Sequence, residues 1–267
     1  MKQRQMARVL CLLISLFTAA WVNSAGTKYP LEPFDADARD LPSLQNGMKL
    51  YMNYCIGCHS LRFQRYERTA NDLAIPHQVA LDTVVFTGQK IGELMVNGMN
   101  PDKSKSWFGN PPPDLTMVTR VRGTDWVATY LKTFYLDEKR PFGVNNAVFE
   151  NVGMPHVLLP LQGVQRKLCV NVPDVLPSGA ERRDPSVPGK PILKEKCEDR
   201  LVVEENTGSM TAAEFDAAVY DLVNFMAYIA EPEKLDRHRI GIFVLLFLII
   251  LGVFTHLLNR EYWKDVR

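Results

Sequence analysis

The apolar positions of this chain predict helices, and the first clear helical pattern begins after residue 43. Ser43 is a residue type favoured at helix N-caps. The apolar side chains that follow recur at spacings of three, four and seven residues, which places them on one helical face. They are Met48, Tyr51, Met52 and Cys55. One amphipathic helix is therefore expected to lead into the heptapeptide "YCIGCHS" at 54–60.

A second helical pattern precedes the apolar end of the chain. Thr211 and Glu214 have the spacing of a Thr-x-x-Glu capping box, which marks a helix start. The apolar side chains after it line one helical face. They are Phe215, Val219, Leu222, Met226 and Ile229. The helix is expected to end near Pro232, because proline interrupts helical hydrogen bonding.

The middle of the chain is less regular. Helical patches are predicted near 83–97 and 125–138, separated by "WFGNPPPDL" at 107–115. Three consecutive prolines cannot continue a helix, so this stretch should be an extended, stiff loop. Residues 170–210 are rich in proline, glycine and charge, and we expect an irregular surface insertion there.

The segment 240–258, "IGIFVLLFLIILGVFTHLL", contains no Asp, Glu, Lys or Arg. As a helix it would be roughly 28 Å long, enough to cross a bilayer. Arginines flank it at positions 237, 239 and 260, so charge asymmetry does not orient it well.

Residues 1–25 have the features of a secretory signal peptide: basic residues, an apolar stretch and a small-residue end. An uncleaved membrane anchor is the alternative. In either case we expect residues 26–236 to form an exported domain. Residues 237–259 would then be a single transmembrane helix and residues 260–267 a cytoplasmic tail. The fold class predicted is all-α, with long loops and an irregular insertion, plus this C-terminal helix.

Composition adds little beyond this. The 267 residues are 46% hydrophobic, which permits a well-buried core, and the net charge is +1. Such a balance gives no indication of nucleic-acid binding.

The chemically informative motif is Cys-x-x-Cys-His at 55–59. This spacing is typical of covalent haem c attachment. Each cysteine can add through sulfur to a haem vinyl group. The adjacent His59 would then lie under the iron as the proximal ligand.

Two other interpretations of the cysteine pair are weaker. A redox dithiol favours a thioredoxin-like βαβ setting, which the sequence around residue 55 lacks. A zinc site needs four ligands, and Cys169 and Cys197 are too far apart to form a second close pair.

The second axial ligand is expected to be Met154 in "NVGMPH". Pro155 favours an extended conformation before it, and Gly153 would let the backbone approach the porphyrin closely. Other methionines are also candidates, although they lie in or beside apolar patterns: Met95, Met99 and Met117. His156 is a rival, and bis-His ligation would be expected to lower the reduction potential relative to Met/His.

Together, "CIGCHS", "GNPPPDLT", "VGMPH" and "LVNFMAYIAEPEKLDRHRIGIFV" resemble the cytochrome c1 family in its bacterial form. This family supplies the haem subunit of ubiquinol–cytochrome c oxidoreductase, the cytochrome bc1 complex. The resemblance covers most of the mature chain. It implies that residues 26–236 form a periplasmic haem domain and that the membrane span lies in the bacterial inner membrane. The proline-rich loop and the Ala-Glu-Pro before the membrane span make it more specific than the haem motif alone.

The resemblance implies a role for each motif. Cys55 and Cys58 would bind one haem c covalently, with His59 and Met154 as axial ligands. A loop beside the porphyrin would contribute Asn110, Pro112 and Leu115. Arg120 stands where the family places an arginine near a haem propionate, although a solvated arginine is the alternative.

The resemblance also implies function and partners. The chain would take electrons from the Rieske iron-sulfur subunit and pass them to a soluble cytochrome c, beside the cytochrome b subunit in the membrane. No separate catalytic activity is expected of this chain alone. An alternative is a membrane-anchored c-type cytochrome that donates electrons to an oxidase. A basic carrier would need an acidic face, for which only Glu204 with Glu205 and Asp137 with Glu138 are candidates.

Cys169 and Cys197 could close a disulfide across the insertion, with two inert thiols as the alternative. In the chain-entropy model a loop of this length contributes about 3 kcal/mol.

Overall fold

The computed structural model describes residues 29–86, 88–175, 181–183, 186–187 and 191–264, with the backbone alone at 171, 195–197 and 199. The chain divides into two units, Met1–Pro30 and Leu31–Arg267, and the helices and strands named below all lie in the second unit. The expected signal peptide lies outside the described residues.

The fold is built mainly from helices, which alternate with short strands along the chain. The helices are α1 (Leu41–Tyr54), α2 (Tyr66–Asp72), α3 (His77–Thr83), α4 (Pro101–Phe108), α5 (Val118–Arg122), α6 (Thr124–Lys132), α7 (Leu159–Gln162), α8 (Ala212–Ala230) and α9 (Lys234–Tyr262). The strands are β1 (Leu61–Arg65), β2 (Leu94–Met95), β3 (Phe134–Leu136), β4 (Val144–Asn146), β5 (Gln165–Pro173) and β6 (Leu193–Val203).

Helix α1 confirms the apolar stripe and corrects the predicted N-cap. Met48, Tyr51 and Met52 are buried in the main core. The N-cap is Asp40, whose Oδ1 accepts a hydrogen bond from the Ser43 backbone N–H at 3.1 Å. Ser43 is instead buried, and its hydroxyl oxygen accepts from the Asn224 side chain. The carboxylate three residues earlier caps the helix, and proline follows it in the first turn, where proline is tolerated.

Helix α8 forms as predicted and is the centre of the core. The Thr211 and Glu214 capping box has both of its reciprocal hydrogen bonds. Helix α1 packs along α8, and Tyr51 lies against Phe225 with ring centroids 5.9 Å apart. Helices α5 and α6 contact the same helix. The end of α1 is thereby held where the cysteine motif begins.

The all-α prediction is correct for this helical core and incomplete for the rest. The described strands form three two-stranded antiparallel sheets: β1–β2, β3–β4 and β5–β6. The predicted helical patch at 83–97 is wrong, because α3 ends at Thr83. The following segment bonds to the start of α2 instead, with the Glu67 N–H donating to the Ile91 carbonyl at 2.7 Å. The patch at 125–138 is helical only as far as Lys132, and β3 follows.

The insertion predicted to be irregular contains a long hairpin. Strands β5 and β6 pair in register from Gln165↔Val203 to Pro173↔Leu193, with an irregularity between Lys167 and Cys169. Cys169 is disulfide-bonded, and its register partner across the hairpin is Cys197. The Cys197 side chain lies outside the described atoms.

Helix α9 contains the apolar segment. It is 29 residues long, about 43 Å as an α-helix, and apolar enough to cross a membrane. None of its residues, all of which the structure describes, is buried.

Candidate functional site

A cavity of about 400 Å³ opens where α1 ends. This volume lies in the range of roughly 300–1,000 Å³ that proteins use for ligands and cofactors. Its walls come from the cysteine motif, the proline loop, α5, α6, the loop 149–157 and α8. Most of the lining side chains are apolar, so the cavity suits a predominantly apolar group.

The cysteine motif forms one tight turn beyond α1. The Cys55 N–H donates to the Tyr51 carbonyl at 2.8 Å, and the His59 N–H donates to the Cys55 carbonyl at 2.8 Å. Both Cys55 and Cys58 have free thiols and line the cavity. The turn therefore presents two thiols and an imidazole to one space.

The thiols do not have the character of a redox dithiol. Burial, with a smaller contribution from Cys58, raises the pKa of the Cys55 thiol to about 12. Burial also raises the pKa of Cys58. Reactive cysteines have lowered pKa values, so the dithiol interpretation is disfavoured. Within the described part of the chain, three His, Cys, Asp or Glu side chains do not gather in a metal-binding group.

His59 is buried and held in a defined tautomer. Its Nδ1 lies 2.7 Å from the Pro113 carbonyl oxygen, which can only accept, so Nδ1 carries the proton. The other ring nitrogen, Nε2, is then unprotonated and available as a ligand. Burial lowers the pKa of His59, and the Pro113 carbonyl and Asp114 partly oppose that shift. The ring is therefore neutral at pH 7.

The proline loop lies directly against this turn. The Leu115 N–H donates to the Ser60 carbonyl at 3.0 Å. The predicted loop residues Asn110, Pro112 and Leu115 all line the cavity. The residue that contacts the histidine, Pro113, was not singled out in the sequence.

Met154 lies in the loop that forms another wall of the cavity. Its Sδ accepts a hydrogen bond from the Tyr130 hydroxyl at 3.4 Å. Gly153 was expected to let the backbone approach a porphyrin. The contact described is with protein: a Cβ at Gly153 would lie 3.0 Å from the Phe108 carbonyl oxygen.

The rival ligands lie elsewhere. Met95 is fully buried in the main core, with its sulfur 3.8 Å from the Thr69 hydroxyl. Among the described residues that line the cavity, Met99, Met117 and His156 do not appear. The His156 ring is stacked on Phe134 at a centroid distance of 4.9 Å.

Some residues that line the cavity were not singled out in the sequence. Arg120 is absent from the described lining residues and has a long ion pair with Glu231, 3.9 Å from Nη1 to Oε1. Arg122 lines the cavity instead, with its guanidinium 5.2 Å from the centre of the Trp126 ring. Trp126 and Tyr130 stack at 4.9 Å, and their spacing of four residues could have indicated a shared helical face.

Met226 on α8 is a second methionine in the cavity wall. It belongs to the apolar face of that helix and is only 3% exposed. Sequence reasoning assigned it to the core, which it also joins.

Comparison with known proteins gives a consistent family. The sequence model of the Cytochrome C1 family matches residues 32–266. Cytochrome c1 of Allochromatium vinosum is 44% identical over 97% of this chain and 98% of its own length. A Nitrosomonas europaea protein named ammonia monooxygenase gamma subunit is 37% identical over 98% of this chain and its entire length. Cytochrome b/c1 of Bradyrhizobium diazoefficiens is 25% identical over 85% of this chain and 34% of its own length. The chain belongs to the cytochrome c1 family, whose members are haem-carrying c-type cytochromes of electron transport, and it ends in a helix suited to a membrane span.

Proposed function

We propose that this chain is the membrane-anchored monohaem subunit of a bacterial cytochrome bc1 complex. One haem c would be attached through Cys55 and Cys58 and ligated by His59 and Met154. The haem domain would face the periplasm, with α9 crossing the inner membrane once. Electrons would arrive from the Rieske iron-sulfur subunit and leave to a soluble cytochrome c.

The observation that carries the proposal is the donor set within one cavity. Two free thiols, an imidazole with its Nε2 available and a thioether all line the same mostly apolar space. This is the set that covalent haem c with His/Met ligation requires. The residues present therefore fit the group.

Each part of the chain has a defined task in this proposal. Cys55 and Cys58 would tether the group through thioether links, and the Pro113 carbonyl would keep the His59 ring oriented and electron-rich. Apolar walls such as Leu222 and Val127 would exclude water. The haem supplies one-electron chemistry between ferric and ferrous iron. Because His59 and Met154 would both ligate the iron, electron transfer is the function this site supports best.

The junction between the domain and α9 supports the placement beside a membrane partner. Glu231, immediately after α8, pairs with Arg237 on α9 and lies 3.9 Å from Arg120 on α5. Glu233 pairs with Arg68 on α2 at 2.6 Å. These ion pairs connect the start of α9 with α2 and, through Glu231, with α5, which lines the cavity. Cytochrome b is the partner expected for α9.

One relative's name suggests a different complex. The Nitrosomonas europaea protein is named as the gamma subunit of ammonia monooxygenase, and the likeness spans its entire length. The two assignments differ in their partners. Gentle solubilisation and affinity purification of the full chain should recover a cytochrome b and a Rieske protein. Recovery of oxidase or monooxygenase subunits instead would reject the bc1 assignment.

Covalent haem is tested most directly on a denaturing gel stained for haem peroxidase activity. The mature chain should stain, and a double variant with Cys55→Ala and Cys58→Ala should not, because no thiol remains to form a thioether link. A Cys169→Ala variant is the matched control, because Cys169 lies on β5 outside the described cavity wall, and it should stain like the natural chain. An unstained natural chain would overturn the proposal.

A further inference from the structure

The proline loop is fixed to the cysteine motif by one side chain whose two oxygens have different partners. Asp114 Oδ1 accepts from the Thr116 N–H at 3.0 Å and from the Thr116 hydroxyl at 2.6 Å. Its Oδ2 accepts from the Arg62 N–H at 2.8 Å, and Arg62 Nε lies 3.4 Å away. The first oxygen therefore shapes the loop, and the second crosses to β1.

The residues on either side of Asp114 also contact the segment that contains His59. Pro113, one residue before Asp114, accepts from His59 Nδ1, and Leu115, one residue after it, donates to Ser60. Three consecutive loop residues thus meet the segment 59–62. The contacts within residues 114–116 are sufficient to form a local turn. The hydrogen bond from the Arg62 N–H to Asp114 also joins the loop to β1, and it thereby fixes the distance between the Pro113 carbonyl and the His59 ring.

The partner of Asp114 is itself held in place. Arg62 lies in β1, which pairs with β2 at Leu61↔Met95. Leu61 and Met95 are fully buried. The Asp114 side chain is only 17% exposed, so its charge-assisted hydrogen bonds are partly shielded from water and relatively strong.

We infer that Asp114 is a positioning residue for His59, which sets the strength of the Pro113 hydrogen bond to Nδ1 and through it the reduction potential of the haem. This inference rests on the proposed function. A carbonyl that holds the Nδ1 proton tightly makes the ring a better electron donor and favours ferric iron. The nearby carboxylate charge acts in the same direction.

The sign of the effect follows. Asp114→Asn replaces one acceptor oxygen with an NH₂ group, which cannot accept from either Arg62 or Thr116. The loop is then released on one side and the charge is lost. Both changes favour ferrous iron, so the reduction potential should rise.

The test compares three variants of the full-length, detergent-solubilised haem protein. Asp114→Asn is the principal change. Thr116→Val keeps the charge and removes only the hydroxyl donor. Glu150→Gln removes an exposed carboxylate beside the cavity residue Phe149 and controls for charge alone. The readouts are the potential, the hyperfine-shifted proton resonances of the His59 ring in the ferric state and hydrogen exchange of the Leu115 amide.

Asp114→Asn should raise the potential, move the His59 resonances and speed Leu115 exchange by about tenfold, the change expected when a charge-assisted hydrogen bond is lost. Thr116→Val should move all three in the same direction by less. Glu150→Gln should change the potential alone. If Asp114→Asn behaves like Glu150→Gln, with His59 and Leu115 unaltered, the positioning role is wrong.

Two further outcomes are distinguishable. If Asp114→Asn does not accumulate, Thr116→Val decides, and unaltered His59 resonances in that variant overturn the inference. A natural chain without haem-shifted resonances overturns the proposed function instead. Leu115 exchange does not require haem, so in that case it still tests the contact between Asp114 and β1, and an unchanged rate in Asp114→Asn would reject that as well.

Discussion

His59 and Met154 are held by the protein in different ways. The backbone carbonyl of His59 accepts from the Tyr51 hydroxyl at 2.8 Å, and its ring bonds to Pro113. Met154 has one described polar contact, the weak hydrogen bond from Tyr130. The histidine is therefore fixed by the fold before any cofactor is considered. The methionine depends more on its loop, and changes there should act mainly on the cofactor.

Replacing Met154 with Leu tests the ligand assignment. Leucine keeps the apolar volume but has no sulfur, and loss of thioether ligation should lower the reduction potential strongly. Potentiometric titration of the solubilised protein measures the change. Met226→Leu is the control, because Met226 lines the same cavity, and its potential should stay close to that of the natural chain. The opposite pattern would transfer the ligand role to Met226.

Replacing Tyr130 with Phe isolates the hydrogen bond to Met154. The ring can keep its stacking on Trp126, while the donor to Sδ is lost. A donor on the sulfur withdraws electron density from iron, so its loss should lower the potential. A hydrogen bond of about 0.5–1.5 kcal/mol converts to a shift of at most roughly 60 mV for one electron. Tyr135→Phe, outside the described cavity wall, should leave the potential unchanged, and an equal shift in both variants would contradict this role for Tyr130.

At the scale of single residues, the sequence predicted which residues form the site better than it predicted which residues contact each other. The cysteine motif, His59 and Met154 come together in one cavity because each lies in a short motif with its own local chemistry. Arg120 and Arg122 could not be told apart from the sequence. They are two residues apart on a short helix, so they point in different directions, and the start of α5 at Val118 decides which one meets the cavity.

At the scale of elements, the crossing of α1 and α8 is the feature that positions the cysteine motif. Gly47 lies at this crossing, where a Cβ would come 2.0 Å from the Asp221 carbonyl oxygen and 2.6 Å from Phe225 Cβ. Only a residue without a side chain allows this approach. The end of α1, and with it Cys55, is set by that distance.

Gly47→Ala should therefore destabilise the domain by about 1–3 kcal/mol, since the two backbones must separate to admit a methyl group. Denaturant unfolding monitored by circular dichroism gives the value. Gly98→Ala is the control, because no described atom lies within 4 Å of a Cβ built there. Equal stability of the Gly47→Ala and Gly98→Ala variants would contradict the described crossing.

The capping box at the start of α8 should make stability depend on pH. The Thr211 backbone N–H, followed by its hydroxyl, lowers the pKa of Glu214. A carboxyl whose folded pKa is depressed stabilises the fold above its unfolded pKa, near 4.3, and loses that contribution as the pH falls through the folded value. Glu214→Gln should thus be less stable than the natural chain at pH 7, and the difference should shrink towards pH 3. A difference that is constant with pH would exclude the ionised form as its cause.

The strands β5 and β6 were not predicted from the pattern of apolar and polar positions. In β5 and β6 the cross-strand pairs combine apolar and charged residues, such as Val170 with Lys196 and Val172 with Lys194. The alternation in β5 is limited to residues 168–172, and β6 is mostly charged, so the hairpin was not predicted. Pairing between residues 20 to 38 positions apart supplies the regularity that the local sequence lacks.

At the scale of the whole molecule, α9 is the helix that does not pack into the core. Its apolar side chains are exposed along its length, including Phe243 at 67% and Phe254 at 65%. An exposed apolar surface of this extent requires a bilayer or a partner to cover it. Its described contacts with the domain include the ion pair between Arg237 and Glu231, and exposed ion pairs contribute little stability individually.

The haem domain should therefore fold without the membrane helix. A chain that ends after Glu233 keeps the Arg68–Glu233 and Arg120–Glu231 pairs and loses only the Arg237 contact among those named. It should remain in the soluble fraction, with the same haem stain, thermal midpoint and reduction potential as the full chain. Arg237→Gln in the full chain is the control and should stay in the membrane fraction. No residue of the described α9 is buried. A truncated chain that aggregates or lacks haem would therefore mean that α9 stabilises the domain through contacts other than these ion pairs.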